Sequence, residues 1–70
     1  MNRYIAVEDT KNPRYIYFET EYDNELMKIT TNEKQAYRFE DVFEAIAATV
    51  FASKETKTNW KVINIEEWEA

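Results

Sequence analysis

Apolar and polar positions alternate with period two along "RYIAVE", residues 3–8, placing Ile5 and Val7 on one parity and Tyr4 and Ala6 on the other. Alternation with β-branched and aromatic residues predicts a strand. "DTKNPR", residues 9–14, reads as a loop with Asn12-Pro13 as its turn signal. "YIYFETEY", residues 15–22, predicts a second strand. Ile16, Phe18 and Thr20 share one face of it, and Tyr15, Tyr17, Glu19 and Glu21 share the other.

Asp23-Asn24 follows, and both residues tolerate the left-handed backbone of a tight hairpin. A two-residue loop there sets Phe18 opposite Ile29 and Glu19 opposite Lys28. Apolar then meets apolar on one face, and acid meets base on the other. Residues 31–39 read as a connector in which Thr31 or Asn32 caps a short helical turn and Ala36 and Phe39 pack inward.

Residues 40–55, "EDVFEAIAATVFASKE", carry helical spacing. Val42, Ile46 and Val50 form one row and Phe43, Ala47 and Phe51 the next. Acids stand at its start and Lys54 and Lys57 near its end, as the helix dipole favours. The larger side chains Val42, Phe43, Ile46, Val50 and Phe51 are expected to face the sheet. Ala45, Ala48 and Ala52 are then left on a small outer face. On that arrangement Phe51→Ala costs about 3–5 kcal/mol, close to the whole stability of so small a domain. "WKVINIE", residues 60–66, predicts a fourth strand that is apolar on both parities, through either burial of both faces or a bulge.

The order is β-β-β-α-β: one α+β domain over residues 1–70, an antiparallel meander with one amphipathic helix packed on one face. The last strand must join an edge of the meander, and the first strand is the preferred one.

Composition then narrows the chemistry. Seventy residues hold no Cys, no His and no Gly. Disulfides and Cys/His zinc sites are excluded, as are the glycine-rich phosphate loops. The lack of Cys agrees with a reducing compartment, and a cytoplasmic protein is expected. "MNRYIAVEDTK" shows no signal-peptide core, because charge returns at Glu8 and Asp9. No apolar run approaches the ~20 residues that span a bilayer. Neither a triad nor a Cys nucleophile can be assembled from these residues, so no enzyme, cofactor or metal is expected. "ETEYDNELMK", residues 19–28, lacks the ligand spacing and glycine of a calcium loop. Net charge is −5 and the isoelectric point about 4.6. That opposes direct nucleic-acid binding and suits a protein partner with a basic surface.

Two surfaces emerge as candidate partner sites. One is a tyrosine-bearing sheet face of Tyr4, Tyr15 and Tyr17, which offers large contact area at low entropy cost. Cross-strand packing explains the same residues without a partner. The other is an acidic edge of Glu19, Glu21, Asp23 and Glu25, with Glu66, Glu67 and Glu69 as a second row. Two such rows approach the charge density of a nucleic-acid backbone. A solvated turn explains them equally.

The succession "RYIAV…YIYFETE…LMKITTNEKQAYRFEDVFEAIAATV…WKVINIEE" resembles small proteins encoded by phages and prophages of Gram-positive bacteria. That group often shows two or three strands, an A-x-x-F element (Ala36 to Phe39 here), an Ala-rich helix and a closing strand ending in Glu. Some of its members are anti-defence proteins, anti-CRISPR inhibitors among them. The resemblance implies a non-enzymatic inhibitor that blocks the nucleic-acid-binding site of a host defence or nucleic-acid-handling protein. The alternative is a structural or regulatory module, such as a homodimer, that assembles through the tyrosine face.

Overall fold

The computed structural model describes residues 2–66, Glu66 by its backbone alone. In chain order it holds β1 (Asn2–Glu8), β2 (Tyr15–Glu21), β3 (Asn24–Thr30), a 3-10 turn (Glu33–Gln35), α1 (Val42–Thr56) and β4 (Trp60–Glu66). The strands form one antiparallel sheet in the order β3-β2-β1-β4, with α1 against one face. The domain is α+β, and β4 joins β1. Their register is unbroken from Asn2 opposite Glu66 to Glu8 opposite Trp60, so β4 holds no bulge. Its apolar residues divide between two clusters. Trp60 and Val62 pack on the helix side, and Ile65 packs with Ile5 and Val7 on the other.

The hairpin register differs from the expected one. The loop is Tyr22-Asp23, not Asp23-Asn24, with φ 51° and 64°. Both residues are left-handed, as a two-residue loop that follows the strand twist requires. Phe18 faces Met27 rather than Ile29, Ile16 faces Ile29, and Glu19 faces Leu26 rather than Lys28, which lies opposite Tyr17. This displacement leaves every side chain on its own face, so alternation is blind to it. It sets Ile16, fully buried, against Ile29.

β1 also turns over relative to expectation. Val7 lies opposite Tyr15, so Ile5 and Val7 share the face of Tyr15, while Tyr4 and Ala6 face the helix. Beyond that pair β1 and β2 part, and residues 36–39 enter the gap. Tyr37 N–H donates to the Ile16 carbonyl at 2.9 Å. Phe39 and Tyr4 exchange both backbone bonds, at 2.8 and 2.9 Å. Backbone groups that the gap would strand are thereby paired. The inserted segment alternates like a strand: Ala36 packs with Ile5 and Val7, while Phe39 joins the helix-side core. Asn32 starts this stretch, its side chain accepting from Lys34 N–H at 3.0 Å.

Asp41 caps α1 by accepting from Phe43 N–H at 2.9 Å. Lys57 closes the helix in the left-handed region, at φ 59°, where glycine is the usual occupant. The face that α1 buries reverses the expected one. Ala45, Ala48, Thr49 and Ala52 are inside, while Phe43, Ile46, Val50 and Phe51 are 76, 45, 50 and 60% exposed. The sheet supplies the bulk that the helix omits: Tyr4, Trp60, Val62 and Phe39 pack against the alanines. Large side chains on one layer require small ones opposite, so the alanine stripe is the face that fits.

Two predictions follow from this packing. In urea unfolding, Ala45→Leu should cost about 1–3 kcal/mol by overpacking, and Phe51→Ala less than about 1 kcal/mol. The reverse ranking would restore the large residues to the core. Tyr22→Asn should stabilise the hairpin by roughly 0.5–1 kcal/mol, because asparagine accepts positive φ more readily than tyrosine. A lowered melting temperature for Tyr22→Asn would contradict the observed turn.

Candidate functional site

The candidate tyrosines fall on both sides of the sheet. Tyr4 packs against the helix-side core beside Ala6, away from Tyr15 and Tyr17. Tyr15 is half-buried against Ile5, Val7, Ala36 and Ile65. Tyr17, also half-buried, donates its hydroxyl to Glu19 Oε2 at 3.0 Å. That bond raises the Tyr17 pKa, since ionisation would break it and set two negative charges together. The expected three-tyrosine face is thus a pair, because β1 presents Ile5 and Val7 there instead.

Glu19, Glu21, Asp23 and Glu25 are all exposed, yet they do not line one edge. Glu19 and Glu21 share the Tyr17 face. Asp23 sits in the turn. Glu25 lies opposite Thr20 on the side that carries Phe18 and Met27. Glu67 and Glu69 lie outside the described residues, as does the side chain of Glu66.

Among the described residues one carboxylate is buried. Glu8, 4% exposed, accepts from Arg14 Nε and Nη2, each at 2.8 Å, and from Thr58 Oγ1 at 2.6 Å. The Arg14 guanidinium presents a two-donor fork that matches the carboxylate geometry. These hydrogen bonds, Arg14 first and Thr58 second, lower the Glu8 pKa from 4.5 to about 2 against the opposing effect of desolvation. Thr58 Oγ1 lies 2.7 Å from Thr56 Oγ1, which accepts from Trp60 Nε1 at 2.8 Å. The network ties the end of β1 to the end of α1 and the start of β4. Its carboxylate is saturated by donors, so this is a structural clip and not an acid–base centre.

A concavity lies elsewhere. α1 rests over β1 and β4, leaving the same face of β2 and β3 open beside it. The resulting groove, about 510 Å³, is lined by Phe18, Met27, Tyr37, Phe39, Ala47 and Phe51, among others, with Glu25 and Glu44 also lining it. Its floor is rigid. Phe18, Tyr37 and Phe39 meet edge-to-face, with centroids 4.7–6.0 Å apart, and such pairs contribute about 0.5–1.5 kcal/mol each beyond burial. Volume and lining suit an apolar side-chain cluster of a ligand, and the two carboxylates suit a cation.

Chemistry beyond binding finds few groups. Ser53, the one serine, donates its hydroxyl to the Thr58 carbonyl at 2.8 Å. Among the described residues no cluster of three or more Asp or Glu is placed to hold a metal ion, and no helix is long and apolar enough to cross a membrane. The chain matches no protein-family model, no curated protein and no solved structure.

Sequence reasoning placed Glu25 at a binding surface but missed Phe18, Met27, Tyr37, Phe39, Glu44 and Phe51 as a group. One signal was available: the helix is apolar almost all round, so one apolar side had to remain uncovered by a single sheet.

The Glu8 clip generates a pH prediction. A depressed carboxylate pKa contributes stability that is fully present above pH 4.5 and is lost as pH falls towards about 2. Melting temperature should therefore drop across that window. Glu8→Gln should melt lower at neutral pH and change less on acidification. Parallel acid profiles for the two proteins would show that Glu8 is not the titrating clip.

Proposed function

We propose that the protein is a non-enzymatic binding module that holds an amphipathic, basic segment of a protein partner in the groove between α1 and the β2–β3 hairpin. The observation that carries this reading is the pairing of an exposed apolar lining with carboxylates: Phe18, Met27, Tyr37, Phe39 and Phe51 with Glu25 and Glu44. A helix laid into such a groove buries its apolar side chains and leaves its cations near the two acids. The net charge of −5 draws a basic partner in from a distance. A partner with a basic surface is the one that the composition called for, with the contact moved from the acidic edge to the groove.

A second reading keeps the inhibitor role that the phage-protein resemblance implies. In it Glu19, Glu21, Asp23 and Glu25 occupy the cationic nucleic-acid site of a host protein. The exposure of all four at the hairpin end favours it. Glu25 belongs to both readings. They differ in what drives binding: the groove depends on apolar burial, the acidic end on charge alone.

A synthetic helical peptide with one leucine face and one lysine face is a suitable probe. Backbone amide shifts on titration should centre on Phe18, Met27, Tyr37 and Phe51. Glu25→Lys with Glu44→Lys should weaken binding roughly tenfold, as two exposed charge contacts become repulsive. Shifts confined to Glu19, Glu21 and Asp23, and abolished by moderate salt, would favour the charge-only reading. Shifts centred on Tyr15 and Tyr17 would refute both.

A further inference from the structure

The outermost stripe of α1 borders the groove only through Ala47. Phe43, Ala47, Val50 and Lys54 follow one another at spacings of four, three and four, the seam of two helices packed side by side. Ile46 and Phe51 flank that seam. We propose that this stripe pairs with the same stripe of a second copy, the two helices running antiparallel about a two-fold axis at the level of Ala48 and Thr49.

Four observations carry the proposal. First, α1 cannot rotate to hide these side chains. Its alanine face is locked against Tyr4, Trp60, Val62 and Phe39, and Val50 or Phe51 would not fit where Ala48 or Ala52 packs. Second, the stripe is self-complementary when reversed. Phe43 of one copy then lies over Lys54 of the other, whose stem packs on the ring and whose ammonium meets its face. Ala47 meets Val50, and the small Ala47 allows the helices to approach to the usual ~8–10 Å.

Third, charge selects the direction. Asp41 and Glu44 mark the start of the helix and Lys54 and Lys57 its end. Antiparallel pairing sets acid beside base and opposes the helix dipoles, whereas parallel pairing sets Lys54 on Lys54. Fourth, the area suffices for a modest dimer. Phe43, Ile46, Val50 and Phe51 retain exposures of 76, 45, 50 and 60%. For side chains of this size that is roughly 500 Å² per copy, so the pair approaches the ~1,000 Å² at which specific interfaces begin. The largest apolar patch on a monomer, usually about 300–600 Å², is often a functional one. An interface at this low end of the size range belongs with weak, transient encounters, so dissociation in the micromolar range or above is expected.

The seam and the groove, which opens on the side of α1 towards β2 and β3, share Ala47, Phe51 and Glu44 along one border, while Phe43, Ile46, Val50 and Lys54 belong to the seam alone. Sedimentation of the full chain from low micromolar to near-millimolar concentration should show a monomer–dimer equilibrium. Each copy carries −5, so added salt should leave the dimer intact or tighten it, opposite to a charge-driven contact. Val50→Glu should raise the dimer Kd by at least about a hundredfold, through an unpaired charge in the seam. Its unfolding midpoint at low concentration should match that of the wild type, since Val50 is half exposed.

Lys54→Glu should weaken the dimer roughly tenfold, and Glu44→Lys in the same chain should recover most of the loss. Lost folding could not produce that recovery. A wild-type chain monomeric at every concentration would overturn the proposal, as would a dimer indifferent to Val50→Glu but broken by Tyr17→Ala. Either result leaves peptide binding in the groove untouched, and failure of the peptide to bind leaves the dimer untouched.

Discussion

Residues 36–39 sit between β1 and β2 as a short interpolated strand, and the position of each layer depends on the backbone bonds they make. Tyr37 takes the Ile16 carbonyl, and Phe39 takes both backbone groups of Tyr4. Without them two strands would part with their polar groups unpaired inside a small protein, at a cost comparable to several lost hydrogen bonds. With them the sheet is effectively wider than its four strands. The β2–β3 hairpin is carried outward, and one helix of 15 residues covers only β1 and β4. The groove is the uncovered remainder. Its aromatic floor is made by the interpolated segment itself, since Tyr37 and Phe39 project to the helix side and meet Phe18.

The same segment explains the face that α1 buries. Phe39 adds an aromatic ring to a sheet face already crowded by Tyr4 and Trp60. The gap left for the helix is narrow, and alanine fills it. Close approach of a helix on small residues displaces its large ones outward, so an apolar outer stripe is a consequence of a bulky sheet and not a defect of folding. Elsewhere the domain is fastened by the Glu8–Arg14–Thr58 clip, which joins three elements at the end of the sheet remote from the hairpin. A chain without cysteine or a metal cluster among its described residues has few other ways to tie those ends. The clip, the interpolated segment and the alanine stripe together leave the groove and the outer face of α1 free of any internal task.

Element identity was legible in the linear pattern. Alternation marked the strands, helical spacing marked α1, and Ala36 and Phe39 were read correctly as inward residues; of the two cap candidates, Thr31 and Asn32, the structure uses Asn32. The preferred edge for β4 was also right. Sequence reasoning failed wherever two arrangements satisfied the same pattern. The hairpin register could shift by one residue in each strand without moving a side chain off its face, and Tyr22-Asp23 took the turn. The parity of β1 relative to β2 depends on a single direct pair, Val7 with Tyr15, and no local signal specifies it. Tyr4 was therefore assigned to the wrong face, and the three-tyrosine surface dissolved.

What the sequence determined by itself is the set of elements, their order, the absence of thiol and imidazole chemistry, and the net charge of −5. These depend on neighbours in the chain or on composition alone. Tertiary structure alone decided which side of α1 is inside, which tyrosines share a surface, and where the groove opens. A helix apolar almost all round carries no periodic preference for either side. The choice is made by volume: the bulk of Tyr4, Phe39 and Trp60 on the sheet admits Ala45, Ala48 and Ala52 and excludes Phe43, Val50 and Phe51. That is a property of residues brought together from distant parts of the chain, and no window of sequence contains it.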